Sequence, residues 1–301
     1  MVDAPRTIRH APKPATAGAW LVRLRFSIAR RVVQFGALLL FFGTAHWGWT
    51  IAGRPLLQGN LAAASLAGSV PLADPFAALQ MLATGHLLLP EVWIGAAIVS
   101  VAWLLLGGRT FCAWACPLNV VTDAAAWLRE RSGLRDLLNV PSTTRYAVLA
   151  LALVLCTVTG VAAFEWVSPI GMLHRALIYG TLTGLVAVAG VLLLDLAVLR
   201  HGWCGHLCPL GAFWSLAGRA GLVKVRFDAA TCTRCGDCVK ACPEPQVLNL
   251  NRAALHGVID GGECTNCGRC VALCPEDSLA FGIRPFARSP VSLPPSRGFP
   301  S

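Results

Sequence analysis

Apolar residues in this chain gather into long runs, unlike the short alternations of a soluble core. Four runs approach the length of a membrane span, at roughly 32–51, 92–106, 146–164 and 177–199. The first holds twenty residues, about 30 Å as α-helix, which matches the hydrocarbon core of a bilayer. The segment 53–91 is long and mild. Asp74-Pro75 within it reads as an N-cap with proline at the first helical position. The helix it opens runs to Gly85, with Phe76, Leu79 and Leu82 on an apolar face, and is expected to lie along the outer membrane surface. Past the fourth run the periodicity changes. Residues 223–227 alternate as a strand, 246–260 read as short strands and a turn, and 279–283 would close a small sheet. From Arg284 onward, repeated prolines without periodicity predict a disordered tail.

Composition supports the membrane reading. The chain is 55% hydrophobic and 13% charged, where a soluble domain carries about a quarter charged residues. The net charge of +10 does not point to nucleic acid, because the basic residues flank the apolar runs and read as topology signals. Arg6, Arg9, Lys13, Arg23, Arg25, Arg30 and Arg31 precede the first run, against Asp3 alone. Arg30-Arg31 resembles an export signal, but no small-residue cleavage site closes the run, so a retained anchor is expected. The segment 53–91 carries only Arg54, whereas 107–145 carries Arg109, Arg129, Arg131, Arg135 and Arg145. This alternation puts both termini and the 107–145 loop in the cytoplasm. Trp47, Trp49, Trp93 and Trp166 sit near the opposite ends, as interfacial aromatics do.

The cysteines bring the chemistry. Cys232, Cys235, Cys238 and Cys242-Pro243 form C-x2-C-x2-C-x3-C-P, and Cys264, Cys267, Cys270 and Cys274-Pro275 repeat it. In the bacterial two-cluster ferredoxin motif, the fourth cysteine of each run ligates the other cluster. The first [4Fe–4S] cluster therefore takes Cys232, Cys235, Cys238 and Cys274, and the second takes Cys264, Cys267, Cys270 and Cys242. Zinc sites space their pairs differently and need no tandem copies ending in Cys-Pro. Two shorter motifs, Cys112-x3-Cys116-Pro117 and Cys204-x3-Cys208-Pro209, lie 92 residues apart after the second and fourth runs. The apolar part therefore reads as two helix-pair repeats. On a helix, cysteines at i and i+4 face one side. The four thiols could jointly hold a third metal centre, act as redox-active pairs or be structural. Cys156, alone in an apolar run, reads as a buried core residue.

Four domains are expected: a basic segment 1–31, a four-helix membrane domain 32–218, a small α+β two-cluster domain 219–284 and a tail 285–301. The arrangement resembles the NapH family of ferredoxin-type membrane subunits, which feed periplasmic nitrate reductase from quinol. The resemblance runs over roughly 31–283. It is carried by Pro71-Leu-Ala-Asp74-Pro75 with Gly85-His86, by Phe111-Cys112-Ala-Trp-Ala-Cys116-Pro117-Leu118-Asn119, by Glu165-Trp166 and by His201-Gly-Trp-Cys204-Gly-His-Leu-Cys208-Pro209. MauN of methylamine utilisation shares the architecture. NosR and CcoG look similar in their membrane parts, but the outer flavin domain of the one and the extra domain of the other have no counterpart here. The resemblance implies a quinol dehydrogenase subunit of the bacterial inner membrane, with a NapG-like periplasmic iron–sulfur partner leading to nitrate reductase. His46, His86, Glu91, Glu165 and His174 are the candidate groups of a quinol pocket, each with a plainer reading as an interfacial polar residue. The rival reading is a metal-handling or maturation protein, CcoG-like or MauN-like, that uses Cys112, Cys116, Cys204 and Cys208.

Overall fold

A computed structural model describes residues 16–284. The tail expected over 285–301 and the first fifteen residues lie outside the described part. The chain opens with α1 (Ala17–Trp47), capped by the Thr16 hydroxyl at its start and by Gly48 in the left-handed conformation at its end. The helix begins well before the apolar run, because nothing between residues 17 and 32 breaks it. Arg30 and Gln34 are therefore buried helix residues, not loop charges.

The segment expected to be mild loop folds into short antiparallel strands: β1 (Thr50–Ile51) with β2 (Arg54–Pro55), then β3 (Leu57–Gly59), β4 (Ala63–Leu66) and β5 (Val70–Ala73) in order. Helix α2 (Pro75–Ala83) follows, capped by Asp74 as expected. Leu79, Met81 and Leu82 stay exposed on one face, whereas the other face turns inward. Phe76 is fully buried, with its ring 5.7 Å from Phe164 and 5.6 Å from Phe213, so α2 reaches down into the core.

The apolar helices α3 (Pro90–Leu105), α6 (Thr144–Thr159) and α9 (Thr183–Leu193) belong to the helical body, in which α3 and α6 both pack against α2. Short α4 (Thr110–Trp114) and amphipathic α5 (Leu118–Ser132) follow α3. The fourth apolar run is not one helix. Short α7 (Ala163–Val167) precedes α8 (Pro169–Tyr179), which ends at Gly180 in the left-handed conformation, and α9 returns against α8. Helix α9 then widens into a π-helical turn, Leu194–Val198, and a second π turn covers Gly202–Leu207 before α10 (Pro209–Ala217). Among the described residues, only α1 is long and apolar enough to cross a membrane by length and composition; α3, α6 and 183–198 are shorter apolar helices.

The cysteine-rich domain is a two-stranded antiparallel sheet, β6 (Val223–Phe227) with β7 (Leu279–Ile283), and helices α11 (Asp237–Ala241), α12 (Leu250–His256) and α13 (Arg269–Leu273). The strands expected within 246–260 are mostly helix. Asn249 caps the Arg252 N–H and Gly257 closes α12, so local capping overrides the short-strand pattern; a single bridge at Val258 remains.

Candidate redox site

The two ferredoxin-type loops are built alike. Arg234 and Gly236 in the first, and Asn266 and Gly268 in the second, adopt left-handed backbone. Such alternation turns successive N–H groups inward, as in the nests that hold iron–sulfur clusters. The Arg234 N–H points at Cys232 Sγ at 3.4 Å, and the Asn266 N–H does the same for Cys264. Burial, then neighbouring thiols, pushes Cys238 up to about 11, and those neighbours are Cys232, Cys235 and Cys274. Cys242 is likewise pushed up by burial, then by Cys267 and Cys264. The fourth cysteine of each run thus lies beside the loop of the other. Among the described residues no three Cys, His, Asp or Glu groups have the spacing that holds a metal ion. A cubane spreads its thiolates over its corners, so two groups of four sulfurs on inward-turned backbone fit clusters better than single ions.

The two shorter motifs converge as well. Cys116 and Cys208 are core residues, and burial raises all four motif thiols, with Cys208 reaching about 12. The Cys204 thiol is acted on by Cys208, Cys116 and Cys112. The expectation of one-sided cysteines on a helix holds in part. Cys112 is in α4, but Cys116 follows its end, and Cys204 sits in the π turn with Cys208 capping α10 through Gly211 N–H. Gln34 donates to the Ala113 and Cys116 carbonyls at 2.8 and 3.2 Å, tying α1 to the first motif. Buried Asp195 accepts from the Trp203 N–H at 2.9 Å, which holds the second motif to the end of α9.

Two chambers lie on the other side of these motifs. The inner one is lined by Asp74, Glu165, His174 and Arg175 at one side and by Phe111 and Leu210 at the other. Phe111 directly precedes Cys112, and Leu210 directly follows Cys208-Pro209. Its free space, about 50 Å³, suits water. The outer chamber, about 470 Å³, is lined by Phe41, Pro55, Leu57, Ile178 and Tyr179 among others, and shares Asn60, His174 and Arg175 with the inner one. That volume is in the range of small-molecule sites. His174 is 1% exposed, packs edge-on against Phe41 at 4.5 Å, and neither ring nitrogen has a hydrogen-bond partner among the described residues.

Burial holds His174 down near 4, so the ring is neutral at pH 7. Burial, then the Glu165 carboxylate, pushes Asp74 up to about 7, and burial also raises Glu165. Of the sequence candidates, the structure brings Glu165 and His174 together. His46, His86 and Glu91 stand at exposed positions outside both chambers. Asp74 was legible only as a helix cap. Its hydrogen bonds to Phe76 and Ala77 N–H, 3.4 and 3.3 Å, confirm the cap, and its place in the cavity comes only from α2 dipping into the core.

Residues 224–275 match the 4Fe-4S dicluster domain family, and the 4Fe-4S binding domain family matches twice, over 89–135 and 180–228. The second pair covers both shorter cysteine motifs. The chain is similar to the ferredoxin-type protein NapH of Escherichia coli, 40% identical over 76% of this chain and 78% of that one. It is similar to NapH of Haemophilus influenzae, 40% identical over 80% and 82%. The methylamine utilization ferredoxin-type protein MauN of Methylorubrum extorquens is 43% identical over 73% and 75%. No solved structure matches the chain.

Proposed function

Because this chain belongs to the ferredoxin-type family of NapH and MauN, iron–sulfur proteins of electron transport, we propose that it oxidises quinol in the bacterial inner membrane and sends the electrons toward periplasmic nitrate reductase. A separate iron–sulfur protein of the NapG kind would be its partner. One observation carries the quinol reading: the buried, unpartnered His174 ring stands in the wall between a ligand-sized chamber and a water-sized one, and the latter abuts both short cysteine motifs. An unpartnered buried polar group is costly, and a bound hydroxyl would satisfy it.

In this reading the quinol ring occupies the outer chamber, between Phe41 and Tyr179. One hydroxyl donates to the neutral His174 ring. Each quinol gives up two protons and two electrons. Asp74 and Glu165 receive the protons through inner-chamber water, and an Asp74 carboxyl near 7 suits that exchange at neutral pH. The electrons leave past Phe111, which stacks on Trp214 with centroids 6.3 Å apart. Clusters accept one electron at a time and so divide the donor's pair. Cys232, Cys235, Cys238 and Cys274 would hold one, and Cys264, Cys267, Cys270 and Cys242 the other. The Cys112, Cys116, Cys204 and Cys208 thiols lie on the route between.

Four crossings by α1, α3, α6 and 183–198 are supported by outward apolar faces. Val32, Val33, Phe35 and Leu39 on α1, Ile94, Ile98 and Val101 on α3, Leu151, Val154 and Val158 on α6, and Leu185 and Val186 on α9 are all exposed. A sixteen-residue helix spans about 24 Å, short of the hydrocarbon core, a mismatch that thinning of the bilayer absorbs.

The test is quinol-dependent electron delivery in membranes. His174→Phe and Glu165→Gln are expected to lose most of it while iron content stays at the wild-type level. Normal quinol-dependent rates in both variants would sink the proposal.

A further inference from the structure

The two cluster loops meet the helical body unequally. Residues 266–268 and Cys270 are buried, whereas Cys232, Cys235 and Cys238 are partly exposed. The second loop is bolted to the first short motif. Trp114 Nε1 donates to the Asn266 carbonyl at 3.0 Å, and Asn266 Nδ2 donates to the Leu106 carbonyl at 3.2 Å. A side chain at Gly268 would run into Phe26 of α1.

At the centre of the junction is Arg109, 1% exposed. Its guanidinium donates to the Cys204 carbonyl at 2.9 Å and to the Glu263 carbonyl at 3.0 Å, and it pairs with Glu244 at 2.7 Å. Glu263 precedes Cys264, and Glu244 follows Cys242-Pro243. The Arg109 charge therefore sits between the Cys112/Cys204 thiols and the Cys264/Cys242 end of the second loop, and it acts on Cys112, Cys204 and Cys264. Arg145 seals the other side, with Glu244 at 3.0 Å and Glu263 at 2.6 Å.

We infer that the two clusters are inequivalent: the one held by Cys264, Cys267, Cys270 and Cys242 is the junction centre facing the helical body, and Arg109 is the positioning residue that sets its potential. The other cluster, on the half-exposed first loop, faces outward. The inference rests on the ligand assignment proposed above but not on quinol. A buried guanidinium favours the reduced, more negative cluster. Its loss lowers the potential of the nearer centre, and loss of the opposing Glu244 charge raises it.

The experiment is an EPR-monitored redox titration of the purified full chain with its clusters, poised with dithionite and mediators. Arg109→Gln is expected to lower one of two midpoints and Glu244→Gln to raise the same one, with the other within error. Asp237→Asn, beside Cys238 in the first loop, marks the outward centre by raising the midpoint that the first two variants leave alone. Opposite shifts from two partners in one ion pair are not what simple loosening produces. Should Arg109→Gln lose iron, Glu244→Gln and Arg109→Lys, which keeps the charge and the midpoint, carry the test. Both midpoints moving together, neither moving, or Asp237→Asn moving the same one overturns the inference. A wild-type protein without two cluster signals overturns the ligand assignment itself.

Discussion

His174 and Asp74 show how a site forms from residues that look ordinary in sequence. Either could be an interfacial polar group, and Asp74 does cap a helix. In the proposed mechanism they share one cavity and divide the work: a neutral ring to hold a hydroxyl, and a carboxyl near 7 to take a proton. The sign follows from the ionised form being the acceptor. Because Asp74 is raised, it is protonated and idle at pH 6 and ionised at pH 8. Quinol oxidation is therefore expected to rise with pH through about 7, and Asp74→Asn to flatten that rise and cost roughly 10²–10⁴-fold in rate. A steady-state pH profile of wild type and variant checks this; an unchanged profile in the variant removes Asp74 from the mechanism. Gln34 and Gln80 were open to notice, since a glutamine in an apolar stretch needs a partner. Their partners, the Cys116 carbonyl and the Phe164 N–H, are distant in sequence and could not be read from it.

At the scale of elements, the three later apolar runs were legible as helices, because apolar length is a strong signal. Their internal breaks were not. The fourth run hides the turn at Gly180, where Gly180-Thr181 interrupts the apolar string and the glycine closes α8 in the left-handed conformation, and the π widening at Leu194. The α8–α9 return depends on close approach at Gly184, where a side chain would press into the Ala176 side chain and the Met172 carbonyl. Gly184→Val is expected to destabilise the protein by about 1–3 kcal/mol, read as a lower Tm in detergent, with weaker quinol oxidation because α8 carries His174. A Tm unchanged in this variant would mean that the two helices are not held at this point. Helix α12 was misread as strand for the opposite reason: seven residues are too few for periodicity to outvote the Asn249 and Gly257 caps.

For the whole molecule, the tandem cysteine motif told of clusters from spacing alone, while the joint between the two parts rests on charges far apart in sequence. Arg145 is fully buried and answers both Glu244 and Glu263. Arg145→Met leaves Glu244 to Arg109 and Glu263 to the neutral donors Tyr146 and Gln246, at a cost of about 1.5–3 kcal/mol. The cysteine domain should then become open to limited proteolysis between α10 and β6, where the wild type resists; equal resistance would mean that the domains are held by other contacts. From the positive-inside pattern we propose that this domain faces the cytoplasm. A reporter fused after residue 284 should accordingly be active only as a cytoplasmic enzyme, and periplasmic phosphatase activity at that junction would reverse the topology. The central claim is that quinol bound near His174 reduces the clusters. Its most direct test is anaerobic addition of quinol to the purified protein with its clusters, followed by EPR, with dithionite as the reference for full reduction. The expected result is cluster reduction in wild type, little in His174→Phe, and equal dithionite signals in both. Clusters that stay oxidised in wild type, or that reduce as fast in His174→Phe, would contradict it.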